Sequence, residues 1–431
     1  MKRILVWFKT DLRLNDNETL VRAIEKSDEV IPVYCFDEAN FKTTHWGFKK
    51  TGSIRAQFLL QSIVDLAKNL NAIGSGLIVV KGKPEIEISK IAMKYKVQHV
   101  FAKQEVAFEE LHTQNSVEKE LAKINCTLKT FDTSTLYHED DLPFSIKDIP
   151  DVFTNFRKQV EKEAKIRAVF PKPTTIHSPK IDEFKSPSIE DFGLQDFTTD
   201  ARSVLDFKGG ETSAWERLNH YFFKTNSLSV YKETRNELVG ANYSSKFSAW
   251  LALGCISARS IHSKIEQYET EIIANESTYW LTFELIWRDY FRFVMSKYGH
   301  LFFLKSGIKP EATYLNNHQS QLFESWKNGT TGNDFIDANM QELKLTGFMS
   351  NRGRQNVASY LCHDLKLDWR YGAAYFEQQL IDYDVCSNWG NWAYLAGVGN
   401  DPRPNRIFNI DKQANDYDKN NLFRKLWLNK I

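Results

Sequence analysis

The first 137 residues alternate short apolar runs with amphipathic segments. The apolar runs predict five strands, at Ile4–Phe8, Val30–Phe36, Leu77–Lys81, Val97–Ala102 and Leu128–Phe131. The segments between them show helical spacing and predict helices at Glu18–Lys26, Ser53–Leu70, Pro84–Lys94 and Phe108–Lys123. Strand–helix alternation of this kind favours a parallel, doubly wound α/β sheet. Because no G-x-G-x-x-G string follows the first strand, we expect a Rossmann-like domain without the dinucleotide fingerprint.

The pattern changes after residue 137. Between residues 138 and 205 the periodicity fades and six of the 11 prolines occur, which predicts a long interdomain connection over the surface. From residue 206 to residue 431 the chain has helical patterning almost throughout. We therefore expect an α/β domain at 1–137, a linker at 138–205 and an all-helical domain at 206–431.

Composition narrows the possible partners. Aromatic residues make up 13% of the chain, which suits either a large core or stacking on planar ligands. The formal net charge is +1, so contact with nucleic acid would need a local basic patch. The five cysteines are scattered without a C-x-x-C pair, so we expect no metal site and no disulfide frame. No run of eighteen apolar residues and no signal-peptide pattern occurs, so we expect a cytoplasmic protein with no membrane contact. We also expect a monomer.

The string Tyr243–Ser248, YSSKFS, opens an apolar helical run. Serine side chains at a helix start cap free backbone amides, and the same amides can bind a phosphate group. By itself the string favours an ordinary helix cap.

The string Tyr279–Phe293, YWLTFELIWRDYFRF, is apolar on nearly every face and predicts a buried helix. Glu284 and Arg288 are four residues apart, so the spacing allows them to pair on one face of that helix. A carboxylate in such surroundings is costly unless it is paired or contacts a polar ligand. A structural ion pair and a ligand-contacting carboxylate both fit this pattern.

Two further strings combine amides, charges and aromatic rings. Thr346–Leu361, TGFMSNRGRQNVASYL, carries amides and guanidinium groups that suit phosphates or base edges, or alternatively a solvated helix face. Leu380–Gly399, LIDYDVCSNWGNWAYLAGVG, places Asp382 and Asp384 beside amides and tryptophans, which is unusual in a plain core. No further acidic run completes a magnesium ligand set, so a metal-dependent hydrolase is disfavoured.

Together these strings resemble the photolyase–cryptochrome family. The individual residues within them resemble those of its cryptochrome-DASH branch. The resemblance includes Trp7–Leu20, Lys50–Leu59 and Gly209–Leu218, and it is densest over Thr346–Tyr417. It covers essentially the whole chain, in order. It implies an N-terminal domain that carries an antenna chromophore, commonly the folate 5,10-methenyltetrahydrofolate, and a helical domain that holds FAD.

The resemblance also implies which residues hold the flavin. Arg354 and Asp382 would pair against the isoalloxazine ring, Asp384 would lie on the ribose side and Asn388 would face the flavin N5 atom. A neutral amide beside N5 adds no negative charge next to a reduced, anionic flavin, whereas an aspartate would repel it. The implied cofactor-binding set is Tyr231, Ser244, Ser245, Lys246, Phe247, Ser248, Arg288, Arg354, Asp382, Asp384 and Asn388.

The implied activity is that of a deoxyribodipyrimidine photo-lyase. Light-excited reduced FAD would donate an electron to a cyclobutane pyrimidine dimer that has been extruded from the DNA. The implied catalytic residues are Glu284, Asn388, Trp392 and Trp369. The implied DNA- and dimer-binding residues are Glu284, Trp287, Asn351, Arg352, Gln355 and Tyr394.

Two positions bear on the substrate. Double-strand photolyases carry a methionine where Gln355 stands and a second tryptophan where Tyr394 stands. Less apolar packing offsets less of the cost of flipping a dimer out of a duplex, so we expect a preference for single-stranded DNA. The (6-4) photolyases carry histidines where Asn351 and Gln355 stand, so this chain lacks the proton donor for that lesion.

The resemblance leaves two links open. The distal member of the tryptophan chain that reactivates the flavin is expected ten residues before Trp326, where this chain has Asn316; Tyr314 or another aromatic residue could take its place. Glu105 and Glu109 fall near the antenna-contacting carboxylate, although a solvated helix face is the simpler interpretation. The alternative functions are a blue-light signalling receptor, a double-strand photolyase and a flavoprotein with another electron acceptor.

Overall fold

The computed structural model describes residues 1–182, 184–309, 320–403 and 407–428. Its N-terminal part is a five-stranded parallel sheet with the strand order β3-β2-β1-β4-β5. The strands are β1 Arg3–Phe8, β2 Glu29–Asp37, β3 Ile78–Gly82, β4 His99–Lys103 and β5 Thr127–Phe131. The connecting helices are α1 Glu18–Lys26, α2 Ser53–Asn71, α3 Pro84–Tyr95 and α4 Phe108–Ala122. The predicted doubly wound α/β class is confirmed, and the strand and helix ends lie within two residues of the predicted ones.

Alternation along β1 separates two apolar cores. Ile4, Val6 and Phe8 join the core that continues into the rest of the molecule. Leu5 and Trp7 point to the other face and join a smaller core. Because successive side chains of a strand point to opposite faces, a strand buried on both sides must be apolar throughout, as β1 is.

The centre of the sheet is a topological switch point. β1 pairs in parallel with β2 on one side and with β4 on the other, so the chain leaves β1 in one direction and later returns to its opposite edge. In sheets of this type the crevice outside the carboxyl ends of such neighbouring strands is the usual place for a ligand.

The predicted linker segment contains one regular helix, α5 Phe153–Glu163. Its buried side chains are Phe153, Phe156 and Val160. This helix is short and the six prolines of the segment surround it, which explains why the sequence showed no clear helical periodicity here.

The C-terminal part is helical, as the predicted all-α class requires. The helices are α6 Glu211–Asn219, α7 Tyr231–Thr234, α8 Ser248–Ala252, α9 Ala258–Glu271, α10 Glu276–Tyr298, α11 Ser320–Asn328, α12 Asp334–Thr346, α13 Asn351–Ser359, α14 Trp369–Gln379, α15 Val385–Leu395, α16 Ile410–Tyr417 and α17 Leu422–Leu428. No helix in the described ranges combines the length and the apolar character needed to cross a bilayer.

The two parts are joined by buried polar contacts. Asp16 forms an ion pair of 2.8 Å with Arg259, and both side chains are buried. Gly254 has a φ of +64°, and a Cβ atom there would lie 2.2 Å from the carbonyl oxygen of Thr10. Only glycine fits such a close approach in the left-handed region, so this turn brings the α/β sheet directly against the helical part.

Candidate active site

A central cavity of about 460 Å³ opens among α7, α8, α10, α13 and the start of α15. A recess of about 130 Å³ continues it. The central cavity is lined by these predicted site residues: Tyr231, Ser244, Ser245, Lys246, Phe247, Ser248, Glu284, Trp287, Arg288, Asn351, Arg354, Gln355, Asp382, Asp384 and Tyr394. The recess adds Asn388 and Trp392. Four strings far apart in sequence therefore converge on one space.

One wall of the central cavity is a loop in which three carbonyl groups are bound by an arginine of α6. Arg217 on α6 donates to the carbonyl oxygens of Ala241, Ser244 and Ser245 at 2.9 to 3.0 Å. Within the described residues, no acceptor lies in hydrogen-bond reach of the amide N–H groups of Ser245 and Lys246. Unpaired amides of this kind form an anion-binding concavity, so the loop fits the phosphate groups of a dinucleotide.

Lys246 itself has an unusual backbone and surroundings. Its φ is +59°, and its ammonium lies 3.4 Å from the centre of the Tyr243 ring. Burial lowers the pKa of Lys246 well below its usual range, while nearby Glu342 opposes that shift. Glu342 is buried, and neither of its carboxylate oxygens has a hydrogen-bond partner in the described part of the chain. Burial raises the pKa of Glu342 to about 8. The two groups therefore form a partly neutral pair beside the loop.

The expected pair of Arg354 and Asp382 is formed. Nη2 of Arg354 lies 3.0 and 2.8 Å from the two carboxylate oxygens of Asp382, whose side chain is 1% exposed. Nε of Arg354 donates to the carbonyl oxygen of Met349 at 2.9 Å, which fixes the guanidinium plane. A buried, doubly hydrogen-bonded pair of this kind presents a rigid polar edge to a planar ligand.

Asp384 caps helix α15 at the edge of the cavity and accepts a hydrogen bond of 2.8 Å from the amide of Ser387. Burial would raise the pKa of Asp384, but the charge of Arg288 and the bonds from Ser387 outweigh it and lower the pKa. Asp384 is therefore a fixed negative charge at neutral pH.

Asn388 is oriented by the backbone. Its Nδ2 donates to the carbonyl oxygen of Ala373 at 3.0 Å. Because a carbonyl can only accept, the side-chain nitrogen must face Ala373 and the Oδ1 atom is left for the recess.

Glu284 does not pair with Arg288, although their spacing allows it. Glu284 forms an ion pair of 2.7 Å with Arg235, next to α7. Arg288 donates instead to the carbonyl oxygen of Ser134, and at 3.4 Å to that of Leu251. The reason is that α10 lies between Arg235 on one side and the carbonyl groups of Ser134 and Leu251 on the other. Glu284 and Arg288 therefore each bind a group outside their own helix. Burial raises the pKa of Glu284, and Arg235 and the Trp280 side chain only partly oppose it.

Trp287 is stacked on one side. The ring of Phe153, from linker helix α5, lies parallel to it at a centroid distance of 3.5 Å and an angle of 10°. Tyr394 meets Trp287 edge to face at 6.1 Å. Phe153 carries no sequence signal for this role, because it stands in a segment without periodicity.

The α13 side chains divide between the cavity and its rim. Gln355 lines the cavity, and its Oε1 accepts a hydrogen bond of 3.0 Å from Arg352, which leaves the amide NH2 for the cavity. Arg352 does not line the cavity; it also donates to Asn236 at 3.0 Å and lies over the Tyr417 ring. Asn351, the first residue of α13, is exposed at the cavity mouth.

The two tryptophans of the expected electron chain have different neighbours. Trp392 lies in T-shaped contact with Trp326 at 6.2 Å and with Phe376 at 5.1 Å. Trp369 is fully buried and contacts Trp389 at 5.7 Å. The positions considered for the distal member, Asn316 and Tyr314, lie outside the described residues.

A sheet-edge cavity of about 700 Å³ lies at the carboxyl ends of β1, β2 and β4. Its lining includes the residues that follow these strands, together with Glu377, Tyr383 and Arg292 from the helical part. Its six cations are Lys9, Lys42, Lys50, Arg55, Lys103 and Arg292, and its six carboxylates are Asp37, Glu105, Glu109, Glu110, Glu377 and Asp384. The sequence motifs gave no indication of this cavity as a whole.

Glu105 and Glu109 both line the sheet-edge cavity, but in different ways. Glu105 is 8% exposed and pairs with Lys9 at 3.1 Å and Lys103 at 3.5 Å. Burial opposes ionisation, yet Lys103 and Lys9 lower the pKa of Glu105 to about 2. The interpretation of a solvated helix face is therefore wrong for Glu105, which lies between β4 and α4, whereas Glu109 is 68% exposed. Glu109 forms an ion pair with Lys50.

The two cavities share a thin wall. Ala252 and Asp384 line both of them. Within the described ranges, no cluster of three or more His, Cys, Asp and Glu side chains is arranged to hold a metal ion in either.

Comparison with known proteins gives consistent matches over both parts. Residues 4–176 match the family model described as DNA photolyase, and residues 280–431 match the model described as the FAD binding domain of DNA photolyase. The cryptochrome DASH of Gloeobacter violaceus is 49% identical over 428 residues, which cover 99% of this chain and 85% of that protein. The cryptochrome DASH of Danio rerio is 48% identical, with 99% and 83% covered.

Solved structures show the same likeness. The cryptochrome of Synechocystis sp. PCC6803 superposes with a TM-score of 0.96 at 48% identity, over 100% of this chain and 89% of that one. A class III photolyase of Agrobacterium tumefaciens gives 0.85 at 26% identity, over 100% and 87%. An archaeal photolyase of Sulfolobus tokodaii, described with two FAD molecules and a novel light-harvesting cofactor, gives 0.78 at 26%, over 99% and 90%.

Proposed function

Since this chain belongs to the photolyase–cryptochrome family, and to its cryptochrome-DASH branch, we propose that it repairs cyclobutane pyrimidine dimers in single-stranded DNA by light-driven electron transfer from reduced FAD. One observation carries the proposal. The amide loop that suits phosphates and the residues expected to contact a dimer, Glu284 and Trp287, line the same central cavity. A flavin and a flipped-out pyrimidine dimer can therefore be held next to each other.

The central cavity supplies two kinds of contact that FAD needs. The amides of Ser245 and Lys246 would bind the diphosphate, and the Arg354–Asp382 pair would hold the edge of the ring system. When bound, the flavin supplies the excited-state electron. The protein's own task is to orient these groups and to exclude water, because fixed dipoles in a dry site stabilise charge better than solvent does.

Asn388 would select the reduced form of the cofactor. Its Oδ1 faces the recess because Nδ2 is committed to Ala373. A carbonyl oxygen accepts a hydrogen bond, and the N5 atom of a flavin carries a proton only after reduction. The orientation therefore favours the electron-donating state.

Glu284 would act on the dimer as a proton donor. Its pKa is raised by burial, so the neutral carboxyl persists to higher pH than in water. A neutral carboxyl can donate a hydrogen bond to a pyrimidine carbonyl oxygen and favour the added electron there. Arg235 would position this side chain through the 2.7 Å ion pair whenever Glu284 is charged.

The preference for single strands rests on Gln355 and Tyr394. Gln355 is tethered through Oε1 to Arg352, so its polar end stays in the cavity. A polar amide and a phenol pack less favourably on a dimer than methionine and tryptophan do, so less binding energy is available to open a duplex.

The sheet-edge cavity would hold the antenna. Its position at the switch point, its volume of about 700 Å³ and the shared wall with the central cavity suit a second chromophore. We favour 5,10-methenyltetrahydrofolate, whose glutamate carboxylates would meet Lys42, with Glu105 and Glu109 near the heterocycle. A second flavin is the competing occupant.

The proposal is tested with illuminated, chemically reduced protein and dimer-containing oligonucleotides in single-stranded and duplex form. We expect repair of the single strand and much slower repair of the duplex. The double variant Gln355→Met with Tyr394→Trp is expected to narrow that difference. Equal repair of both forms by the unmodified protein would contradict the preference, and repair of neither would favour a signalling role.

A further inference from the structure

The first residue of the linker helix α5 lies directly behind a tryptophan of the central cavity. Phe153 is parallel to Trp287 at a centroid distance of 3.5 Å and an angle of 10°. Trp287 is half-buried and lines the cavity, whereas Phe153 is 6% exposed and does not line it. Phe153 can therefore act on a ligand in the cavity only through the indole ring of Trp287.

The plane of the Phe153 ring is fixed by two further rings of α10. Phe283 meets Phe153 edge to face at 5.3 Å and 86°, and Tyr290 meets it at 5.5 Å and 75°. Edge-to-face pairs of this kind are favourable, and rings on two sides prevent the phenyl group from turning. Because the Trp287 ring lies flat against Phe153, a fixed phenyl plane also fixes the indole plane.

The segment that carries Phe153 is held against α10 on both sides of this residue. On one side, Nζ of Lys297 donates to Oδ1 of Asp151 at 2.8 Å. On the other side, the hydroxyl of Tyr279 donates to Oε1 of Glu161 at 2.7 Å. A connection that only links two domains needs no such contacts, so Phe153 is a fixed support within the helical part.

We propose that Phe153 is a positioning residue for substrate binding, which holds the Trp287 ring in the plane that stacks on a pyrimidine dimer. The proposal rests on the proposed function, because it requires a dimer in the central cavity. A ring that is fixed before binding loses less conformational freedom when the dimer arrives, so more of the contact energy appears as affinity. The linker segment thereby takes part in substrate recognition.

Phe156, one turn further along α5, provides an internal comparison. It is 0% exposed and contacts Tyr290 at 5.4 Å and Phe293 at 6.1 Å. Among the described residues, no ring contact joins it to Trp287. Phe153 and Phe156 therefore share a residue type, a helix and burial, and they differ in the contact with Trp287. A substitution that only loosens the packing of α5 should act in the same way at both positions.

The competing support for Trp287 is Phe291, on the same helix as the indole. Its ring lies 5.6 Å from that of Trp287 at an angle of 28°, so it is farther away and less parallel than Phe153. If Phe291 alone fixed the indole, substitution of Phe153 would leave dimer binding unchanged.

The test measures binding in the dark of the FAD-loaded full chain to a single-stranded oligonucleotide, with and without one cyclobutane dimer. Phe153→Met fills the space but offers no flat face. We expect it to weaken binding of the dimer-containing strand about tenfold, which corresponds to about 1.4 kcal/mol. Binding of the undamaged strand, FAD content and the repair yield of each bound dimer should not change, because the groups that contact them stay in place.

The matched control is Phe156→Met. It should lower the unfolding temperature comparably to Phe153→Met, because both remove a buried ring from α5, and it should leave dimer binding unchanged. Phe153→Leu is a second substitution without a flat face and is expected to give the same pattern as Phe153→Met.

A double-variant cycle separates positioning from general packing. In a Trp287→Leu background, Phe153→Met should cause no further loss of dimer binding, because its effect passes through the indole. Additive losses, or normal dimer binding by Phe153→Met and Phe153→Leu alone, would overturn the proposal. If the unmodified, FAD-loaded protein bound damaged and undamaged strands equally, the proposed function itself would be contradicted, and the role of Phe153 with it.

Discussion

The two cavities share Ala252 and Asp384, yet they are built from the chain in opposite ways. Most of the central cavity comes from a few contiguous strings, and the carboxylates of Glu284 and Asp382 each lie against one arginine. The sheet-edge cavity collects single residues that follow separate strands, and burial raises the pKa of Glu110 there to about 7. The polar groups of the central cavity are therefore fixed before a ligand binds, whereas the sheet-edge cavity is larger and its polar groups are less fixed.

This difference predicts how the central cavity and the sheet-edge cavity respond to substitutions. Where an ion pair with a buried carboxylate lies against the ligand, as Arg354–Asp382 does, removing the cation costs both the ligand and folding stability. In the sheet-edge cavity, a change at a half-buried residue of the lining that forms no ion pair should cost only the occupant. The following predictions test that contrast.

The largest effect is expected from Arg354→Gln. The change leaves the buried Asp382 carboxylate without its cation, which costs about 3–5 kcal/mol of folding free energy. Purified protein should contain little FAD and unfold at a much lower temperature. Arg167→Gln is the control, because it breaks an exposed ion pair with Asp141 that is worth at most about 1 kcal/mol. Equal thermal stability of the two variants would remove the basis for the contrast.

Glu284→Ala is expected to lower the repair yield about tenfold, the loss that corresponds to a charge-assisted hydrogen bond of about 1.5 kcal/mol, while FAD content stays at that of the unmodified protein. Glu284→Gln keeps a hydrogen-bond donor and should lose less.

The pH dependence of repair is expected to differ between the unmodified protein and Glu284→Gln. The raised pKa of Glu284 means that the neutral form is lost as pH rises through that pKa, so repair should decline on the alkaline side. The decline should be missing in Glu284→Gln. A decline of the same size in that variant would assign it to another group.

A substitution confined to the sheet-edge cavity should spare the flavin. Thr113, on α4, lines this cavity and is half-buried. Thr113→Trp should weaken binding of added 5,10-methenyltetrahydrofolate by about tenfold, because overpacking costs about 1–3 kcal/mol. FAD content should not change, and Asn115→Trp at an exposed position of α4 is the matched control. Loss of FAD in Thr113→Trp would show that the cavities are not separable.

The last prediction concerns Glu342, the buried carboxylate near Lys246. Its folded-state pKa of about 8 lies above its ordinary value of 4.5, so the folded protein binds this proton more tightly and loses stability as pH rises between those values. Glu342→Gln should unfold at the same temperature as the unmodified apoprotein at pH 4 and at a clearly higher temperature at pH 9. Glu118→Gln, at an exposed site, should show no such difference at either pH.

The fold and most of the central cavity could be predicted from the sequence, because both depend on local residue spacing and on short contiguous motifs. A continuous apolar run located β1, helical spacing located α1, and short strings contained Ser245, Asp382 and Asn388. Partners that come from elsewhere could not be predicted in this way. Arg235 replaced Arg288 as the partner of Glu284, and Phe153 stacks on Trp287, because both depend on how distant segments pack.

The sheet-edge cavity likewise depends on contacts between distant segments, and only part of it could be predicted from the sequence. Lys9 and Lys103 end or follow predicted strands, and the rule that ligands bind at carboxyl ends of parallel strands would have grouped them. No spacing along the chain, however, indicates that Arg292 and Glu377 join them from the helical part.

The wall formed by Ala252 and Asp384 has an optical consequence. A fixed carboxylate at this position sets up an electric field that acts on both cavities at once. Because this wall is thin, a change of charge in one cavity shifts the absorption band of a chromophore in the other cavity. A chromophore in the sheet-edge cavity would therefore report, as a colour change, the moment at which its neighbour gains or loses an electron.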